Sequence, residues 1–199
     1  MGESLVKSVC LFCGAAPGRD PAFAKAVNTF VNGLAARDIQ LITGGGSVGL
    51  MGVAADAMVA AGGRSVGIIP EKLVERELGH RGMDELIIVG TMHERKALMG
   101  QRADAFVAAP GGIGTMEELF EVFTWRQIGY HDKPIAILDV NQYYAPLLAF
   151  LDHATDRGLV QPWVRTLLHV ETDPLALVDW LARQPAEPRS MLENESAIK

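Results

Sequence analysis

Short apolar runs recur along this chain of 199 residues, and a longer stretch with helical spacing follows nearly every one. SVCLFC (8–13), IQLIT (39–43), SVGIIP (65–70), ELIIVG (85–90), DAFVAAP (104–110), KPIAILD (133–139) and TLLHVE (166–171) read as strands. Helical patterns cover 21–38, 49–62, 92–103, 114–129, 143–158 and 173–184. Runs that stay apolar, instead of alternating at every second position, suit strands covered on both faces. The alternation therefore predicts a doubly wound α/β fold, a parallel sheet flanked by helices. No repeat or linker interrupts it, so residues 1–184 are expected to form one domain, and the polar, proline-bearing 185–199 a loose tail.

A chain of this length buries roughly 70% of its unfolded surface, enough to fold without disulfides or a structural metal. The net charge of −6 argues against nucleic-acid polymers and anionic membranes as partners, because both select basic surface. No uncharged apolar run reaches 18 residues and MGESLVKSVCLFCG lacks the pattern of a secretory leader, so the expectation is a soluble, cytoplasmic protein. Cys10 and Cys13 form a CxxC, but on a strand they face opposite ways, and no second pair exists to complete a metal site. They are read as two buried thiols. The five histidines show neither HxxxH nor HExxH spacing, so neither a metal nor a cofactor is expected.

The excess glycine is clustered. TGGGSVGLMG, residues 43–52, links a strand to an alanine-rich helix, and PGGIGTMEE, residues 110–118, links another strand to a helix. Loops leaving the carboxyl ends of parallel strands form the ligand crevice, and the next helix N-terminus offers free N–H groups to a phosphate. Two such ends predict a pocket for a phosphate and its sugar. Gly44, Gly46 and Gly49 also fit GxGxxG, but the acidic ribose partner expected about 20 residues later is missing. A Walker A loop is excluded, because no Lys-Ser/Thr pair follows either loop.

Glu117 and Glu118 raise a question, since carboxylates beside a bound phosphate repel it. One answer is local: Thr115-Met-Glu-Glu118 reads as a capping box. The other is chemical: a Glu one turn from a phosphate loop can reach the anomeric carbon, where positive charge builds up as a glycosidic bond breaks. Arg95 and Lys96 open a helix at the same sheet edge. They are either a solvated helix start compensated by Glu94 or, for Arg95, a bidentate ligand of phosphate or ribose. The helix 114–129 is apolar around more than half its circumference, which fits either a well-covered core helix or a dimer interface.

Taken together, GGGSVGLMG, MHERK and PGGIGTMEE resemble the LOG family of cytokinin-activating phosphoribohydrolases, over about residues 8–170. The family pattern PGGxGTxxE is met at Pro110, Gly111, Gly112, Gly114, Thr115 and Glu118. The resemblance implies a Rossmann-like fold, a homodimer, and hydrolysis of a nucleoside 5′-monophosphate, such as AMP or its N6-prenylated form, to free base and ribose 5-phosphate. By matching positions it implies Arg95 and Glu118 as catalytic residues. Cys13, Gly14, Gly44, Gly45, Gly46, Lys96, Gly111, Gly112, Gly114 and Thr115 fall on the family's substrate contacts. Two departures, Ile113 where an aromatic is common and CGAAPG in place of CGSSxG, bear on how the base is held. The rival readings are a nucleotide or molybdenum-cofactor carrier of the same fold and a dinucleotide-dependent oxidoreductase, which leaves the second glycine loop unexplained.

Overall fold

The computed structural model describes residues 5–77 and 79–186. Seven strands form one sheet: β1 (Ser8–Phe12), β2 (Gln40–Thr43), β3 (Ser65–Pro70), β4 (Glu85–Val89), β5 (Ala105–Ala108), β6 (Ile135–Leu138) and β7 (Leu168–Glu171). The helices are α1 (Pro21–Ala35), α2 (Gly49–Ala60), α3 (Glu71–Glu77), α4 (Met92–Arg102), α5 (Ile113–Gln127), α6 (Ala145–Asp156), α7 (Pro162–Arg165) and α8 (Pro174–Leu181). Each strand lies inside its predicted range. The periodicity missed α3, α7 and a single 3-10 turn at Val140–Gln142, all shorter than the window over which a helical period can be recognised. The expected tail lies outside the described residues from 187 onward.

Every strand pair is parallel, in the order β4-β3-β2-β1-β5-β6-β7. Apolar side chains cover both faces, as the unbroken apolar strands require. Val9, Leu11 and Cys13 pack with Phe30 of α1, Met58 of α2 and Leu177 of α8. Cys10 and Phe12 point the other way, onto Met99 of α4, Leu119 of α5 and Leu151 of α6. The two cysteines are thus free, buried and on opposite faces. Ala54, Ala55 and Ala57 are buried where α2 lies against α1, whereas Ala60 and Ala61 are exposed. Alanine brings α2 close along its middle, not at its C-terminal end.

Helix starts are set locally. Asp20 caps α1 by accepting from the Ala22 N–H, with Pro21 in the first helical position. Thr91 caps α4 by accepting from Glu94 N–H, and the Glu94 carboxylate reaches back to Gly90 N–H. A reciprocal cap therefore exists, at Thr91–Glu94.

The strand order decides where a ligand can sit. From β1 the chain winds outward through β2 and β3 to the edge strand β4, then returns to β5 on the other side of β1. Such a reversal opens a crevice beyond the carboxyl ends of the two central strands. Gly14, after β1, donates its N–H to the carbonyl of Pro110, after β5, at 3.1 Å, tying the two loops together at that point.

Candidate functional site

A cavity of about 610 Å³ occupies the crevice between β1 and β5. Cys13, Gly14, Ala15 and Ala16 line one side, Pro110 to Thr115 the other, with Arg95, Glu117, Glu118 and Tyr143 completing the polar wall.

Its floor includes the N-terminus of α5. Gly112 is the N-cap residue, so no side chain bonds the first turn, and that turn carries no acid. The first N–H groups of a helix have no intrahelical partner and carry partial positive charge. A Cβ at Gly112 or Gly114 would meet nothing within 4 Å, so a ligand can approach the backbone there. Gly111 is glycine for another reason: a Cβ would lie 2.1 Å from Thr115 Oγ1. Thr115 is the third helical residue, buried against Gly111 at 3% exposure. This rules out the capping box at Thr115–Glu118, because the helix begins before the threonine.

The adjacent carboxylates are matched to adjacent cations. Glu118 Oε1 stands 3.9 Å from Arg95 Nη2, both side chains nearly buried. Glu117 is bonded by Lys96 Nζ at 2.6 Å, and Lys96 also reaches Glu121 at 2.8 Å, one turn further along α5. Burial pulls the Lys96 ammonium down, but its bonds to the two glutamates outweigh this and hold it above the usual lysine value. Arg95 is 6% exposed, and its Nε has no hydrogen-bond partner among the described residues. Orphaned buried donors are costly, and one in a cleft wall suits a ligand acceptor. Burial, and then the charge of Glu118, push the Cys10 and Cys13 thiols well above the ordinary range. Cys13 therefore offers the cleft a neutral thiol.

Arg95, Glu118, Cys13, Gly14, Gly111, Gly112, Gly114 and Thr115 meet in one cavity wall. Gly44, Gly45, Gly46 and Lys96 are not among the lining residues. The first glycine loop follows β2, one strand away from the switch point; of the helix it leads into, Leu50 and Met51 line the cavity, and the Leu50 N–H is bonded to the Gly14 carbonyl at 2.9 Å. The loop underlies the arginine instead: a Cβ at Gly44 would lie 1.8 Å from Arg95 Nη2. Gly45, in the left-handed region at φ +75°, packs against β3, and its carbonyl accepts from His80 N–H.

Sequence reasoning missed Tyr143, Phe23 and Met92, which also line the cavity. Tyr143 stands in the loop leaving β6, the next strand beyond β5. Loops after the carboxyl ends of central strands were the places to search, and this one carries the YY pair at 143–144.

The geometry joins an open glycine-rich helix end, suited to a phosphate, to a cation–carboxylate pair one turn deeper. Known proteins match this chain over most of their length. The profile of a family described as "Possible lysine decarboxylase" matches residues 51–181. The chain is 44% identical over 171 residues, 84% of its length and 80% of the relative's, to the cytokinin riboside 5′-monophosphate phosphoribohydrolase LOG3 of Arabidopsis thaliana. It is 45% identical over 168 residues, 84% of this chain and 85% of the other, to a cytokinin riboside 5′-monophosphate phosphoribohydrolase of Rhodococcoides fascians. In fold it is similar to the molybdenum cofactor binding protein of Rippkaea orientalis, with a TM-score of 0.65 at 20% identity, covering 90% of this chain and 96% of that one.

Proposed function

Because this chain belongs to the LOG family, we propose that it hydrolyses the N-glycosidic bond of an adenine nucleoside 5′-monophosphate, either AMP or an N6-prenylated form. The phosphate binds at the N-terminus of α5, on the backbone of Gly111, Gly112 and Gly114 and beside Thr115, where open approach and helix polarity support it. The ribose then lies along Cys13 and Gly14, with its anomeric carbon toward Glu118. As the bond from C1′ to the base nitrogen breaks, its electron pair leaves with the base, and positive charge spreads over C1′ and the ring oxygen. The Glu118 carboxylate stabilises that charge and orients a water toward C1′. The water's hydroxyl ends on C1′ and its other proton on the base, so atoms and charge balance.

Arg95 orients Glu118 and offsets phosphate charge. Lys96 acts by tying α4 to α5, and Gly44 acts by seating Arg95. The observation that carries this reading is the facing of Arg95 Nη2 and Glu118 Oε1 at 3.9 Å, in the wall of a cavity whose floor is the uncapped end of α5. A non-catalytic nucleotide or molybdenum-cofactor carrier needs the phosphate cradle but has no use for that pair.

The test is chromatography of AMP and N6-isopentenyl-AMP incubated with the protein and a chelator. Free base and ribose 5-phosphate should form with wild type and fall at least about a hundredfold with Glu118→Gln, at an unchanged melting temperature. Bound but intact nucleotide with wild type would move the protein to the carrier class.

We further propose a cytoplasmic homodimer. Support for the dimer comes from Ile88, Met92, Ile128 and Tyr130, exposed at 57%, 42%, 57% and 64%, on or beside β4, α4 and the end of α5. Light scattering should give twice the chain mass, and a monomer at micromolar concentration would refute this.

A further inference from the structure

The cavity's second glycine loop is held by partners that neither its glycines nor the family pattern accounts for. Three successive carbonyls leave β5, and each has a specific donor. Ala109 accepts from Tyr144 Oη at 2.7 Å, Pro110 from Gly14 N–H at 3.1 Å, and Gly111 from Tyr143 Oη at 2.5 Å. Two of these donors come from one short segment after β6, and that segment is strained. Asn141 and Gln142, neither of them glycine, adopt the left-handed region at φ 51° and 59°. Side chains rarely tolerate such backbone, and it persists only where the surroundings over-determine it. Here they do: Asn141 Nδ2 donates to Asp20 at 2.8 Å, and the Asp139 carboxylate accepts from Tyr144 N–H at 2.8 Å. The Tyr143 ring is wedged edge-on between Phe23 and Tyr144, with centroids 5.4 and 5.0 Å away.

The consequence for the anion site follows from peptide geometry. In a planar trans peptide the carbonyl and the next N–H point in opposite directions. Anchoring the Gly111 carbonyl on the Tyr143 hydroxyl therefore fixes the direction of the Gly112 N–H. It also keeps that oxygen from turning toward the open end of α5, where it would replace a donor by an acceptor and repel an anion. Glycine on both sides of the peptide would otherwise leave it free to flip, since neither residue carries a Cβ to restrict its backbone.

We propose that Tyr143 is a positioning residue for phosphate recognition: its hydroxyl locks the Gly111–Gly112 peptide with its donor toward the ligand, and the strained turn at Asn141–Gln142 holds the hydroxyl in place. This rests on the phosphate-first reading of the cavity above. It separates two roles of one side chain: the ring packs, and the hydroxyl sets the charge preference of a loop it joins only through a carbonyl.

Tyr143→Phe removes the hydroxyl and keeps the ring, so both aromatic contacts survive. With wild type and this variant side by side, isothermal titration with inorganic phosphate and adenosine, and with AMP in the Glu118→Gln background where it is not turned over, reads the effect. Phosphate and AMP should each bind about tenfold more weakly to the variant, as expected for one hydrogen bond's worth of preorganisation, while adenosine binding and the melting temperature stay unchanged. In steady state the loss should appear in KM for AMP more than in kcat. Equal binding of phosphate by the two proteins would overturn the proposal, as would an equal loss for AMP and adenosine, which would mean that the hydroxyl acts on the base side. Failure of wild type to bind phosphate would overturn it too. Failure to release adenine would sink only the hydrolase reading, since phosphate binding is measured separately. The Gly112 amide resonance in the ligand-free variant gives a second readout: an unmoved ¹H–¹⁵N peak would mean that the hydroxyl does not hold that peptide.

Discussion

Gly44→Ala tests whether the arginine's exact seat matters. The added Cβ would stand 1.8 Å from Arg95 Nη2, 2.9 Å from Cζ and 3.4 Å from Nε. Ordinary contact starts near 3.4 Å, so the guanidinium end must move by about 1.6 Å. Nη2 is the atom that faces Glu118 Oε1 at 3.9 Å, so the movement falls directly on the pair. Misplacing a catalytic group by about 1 Å costs on the order of a hundredfold in rate, or about 2.7 kcal/mol of barrier. Stability should change little, because the clash is with the far end of a flexible side chain and Gly44 is not in the left-handed region. A loss within about 1 kcal/mol corresponds to about 2–4 °C in Tm for a chain of this size. The assay is adenine release from AMP, alongside a thermal melt. Because the methyl acts through Arg95, adding Gly44→Ala to Arg95→Ala should cost no further activity. Wild-type kcat in Gly44→Ala would refute the idea that Arg95 works from this position, and an unfolded Gly44→Ala would refute the idea that the side chain alone absorbs the clash.

Gly112→Ala meets open space, so it should melt within about 2 °C of wild type yet raise KM for AMP at least about tenfold, the loss of one hydrogen bond to a charged group; an unchanged KM would put the phosphate elsewhere. Gly49→Ala is the opposite case: φ is +58° and the Cβ would fall 2.3 Å from the backbone carbon of Ala15, where no side chain can yield. It should cost at least about 2 kcal/mol in urea unfolding, and an unchanged midpoint would contradict that contact. Buried His131 donates to the Val122 carbonyl and accepts from Lys133 N–H, and burial first of all lowers its pKa from 6.5 to about 4. Its folded form binds fewer protons than the unfolded one between those values, so its contribution is whole above pH 6.5 and falls away toward pH 4, by no more than about 3 kcal/mol. His131→Gln should therefore lose less stability than wild type between pH 7 and pH 4.5, and an equal loss would refute the assignment.

Much of the architecture could be read directly, because its signals are local. Runs such as SVCLF and AFVA are apolar at successive positions, so both faces of each strand had to be covered, and the doubly wound class followed. The opposed faces of Cys10 and Cys13 needed only the two-residue period of a strand. PGGIGT announced an open helix end, since glycine there admits a ligand to the backbone. Thr115, by contrast, carried a capping signature that the structure assigns to Thr91 and Glu94. Which of two similar sequences caps its helix depends on where the helix starts, and at α5 the start at Ile113 leaves Thr115 inside, against Gly111.

The class of fold was written in the order of residues alone, which also pointed to the second glycine loop as the proposed anion cradle and to Arg95 and Glu118 as the pair to watch. How these parts are shared out follows from long-range packing. Strand order is a matter of long-range pairing, which no local period encodes, and it set β5 rather than β2 opposite the β1 loop across the crevice. The TGGG loop thereby became the seat of an arginine instead of a wall of the cavity. Arg95 and Lys96 are neighbours in sequence but about 100° apart around a helix, so one turns to the cavity and the other to Glu117 and Glu121 on α5. Tyr143 joined the site because β6 pairs with β5, which brings a hydroxyl from 32 residues away onto the Gly111 carbonyl.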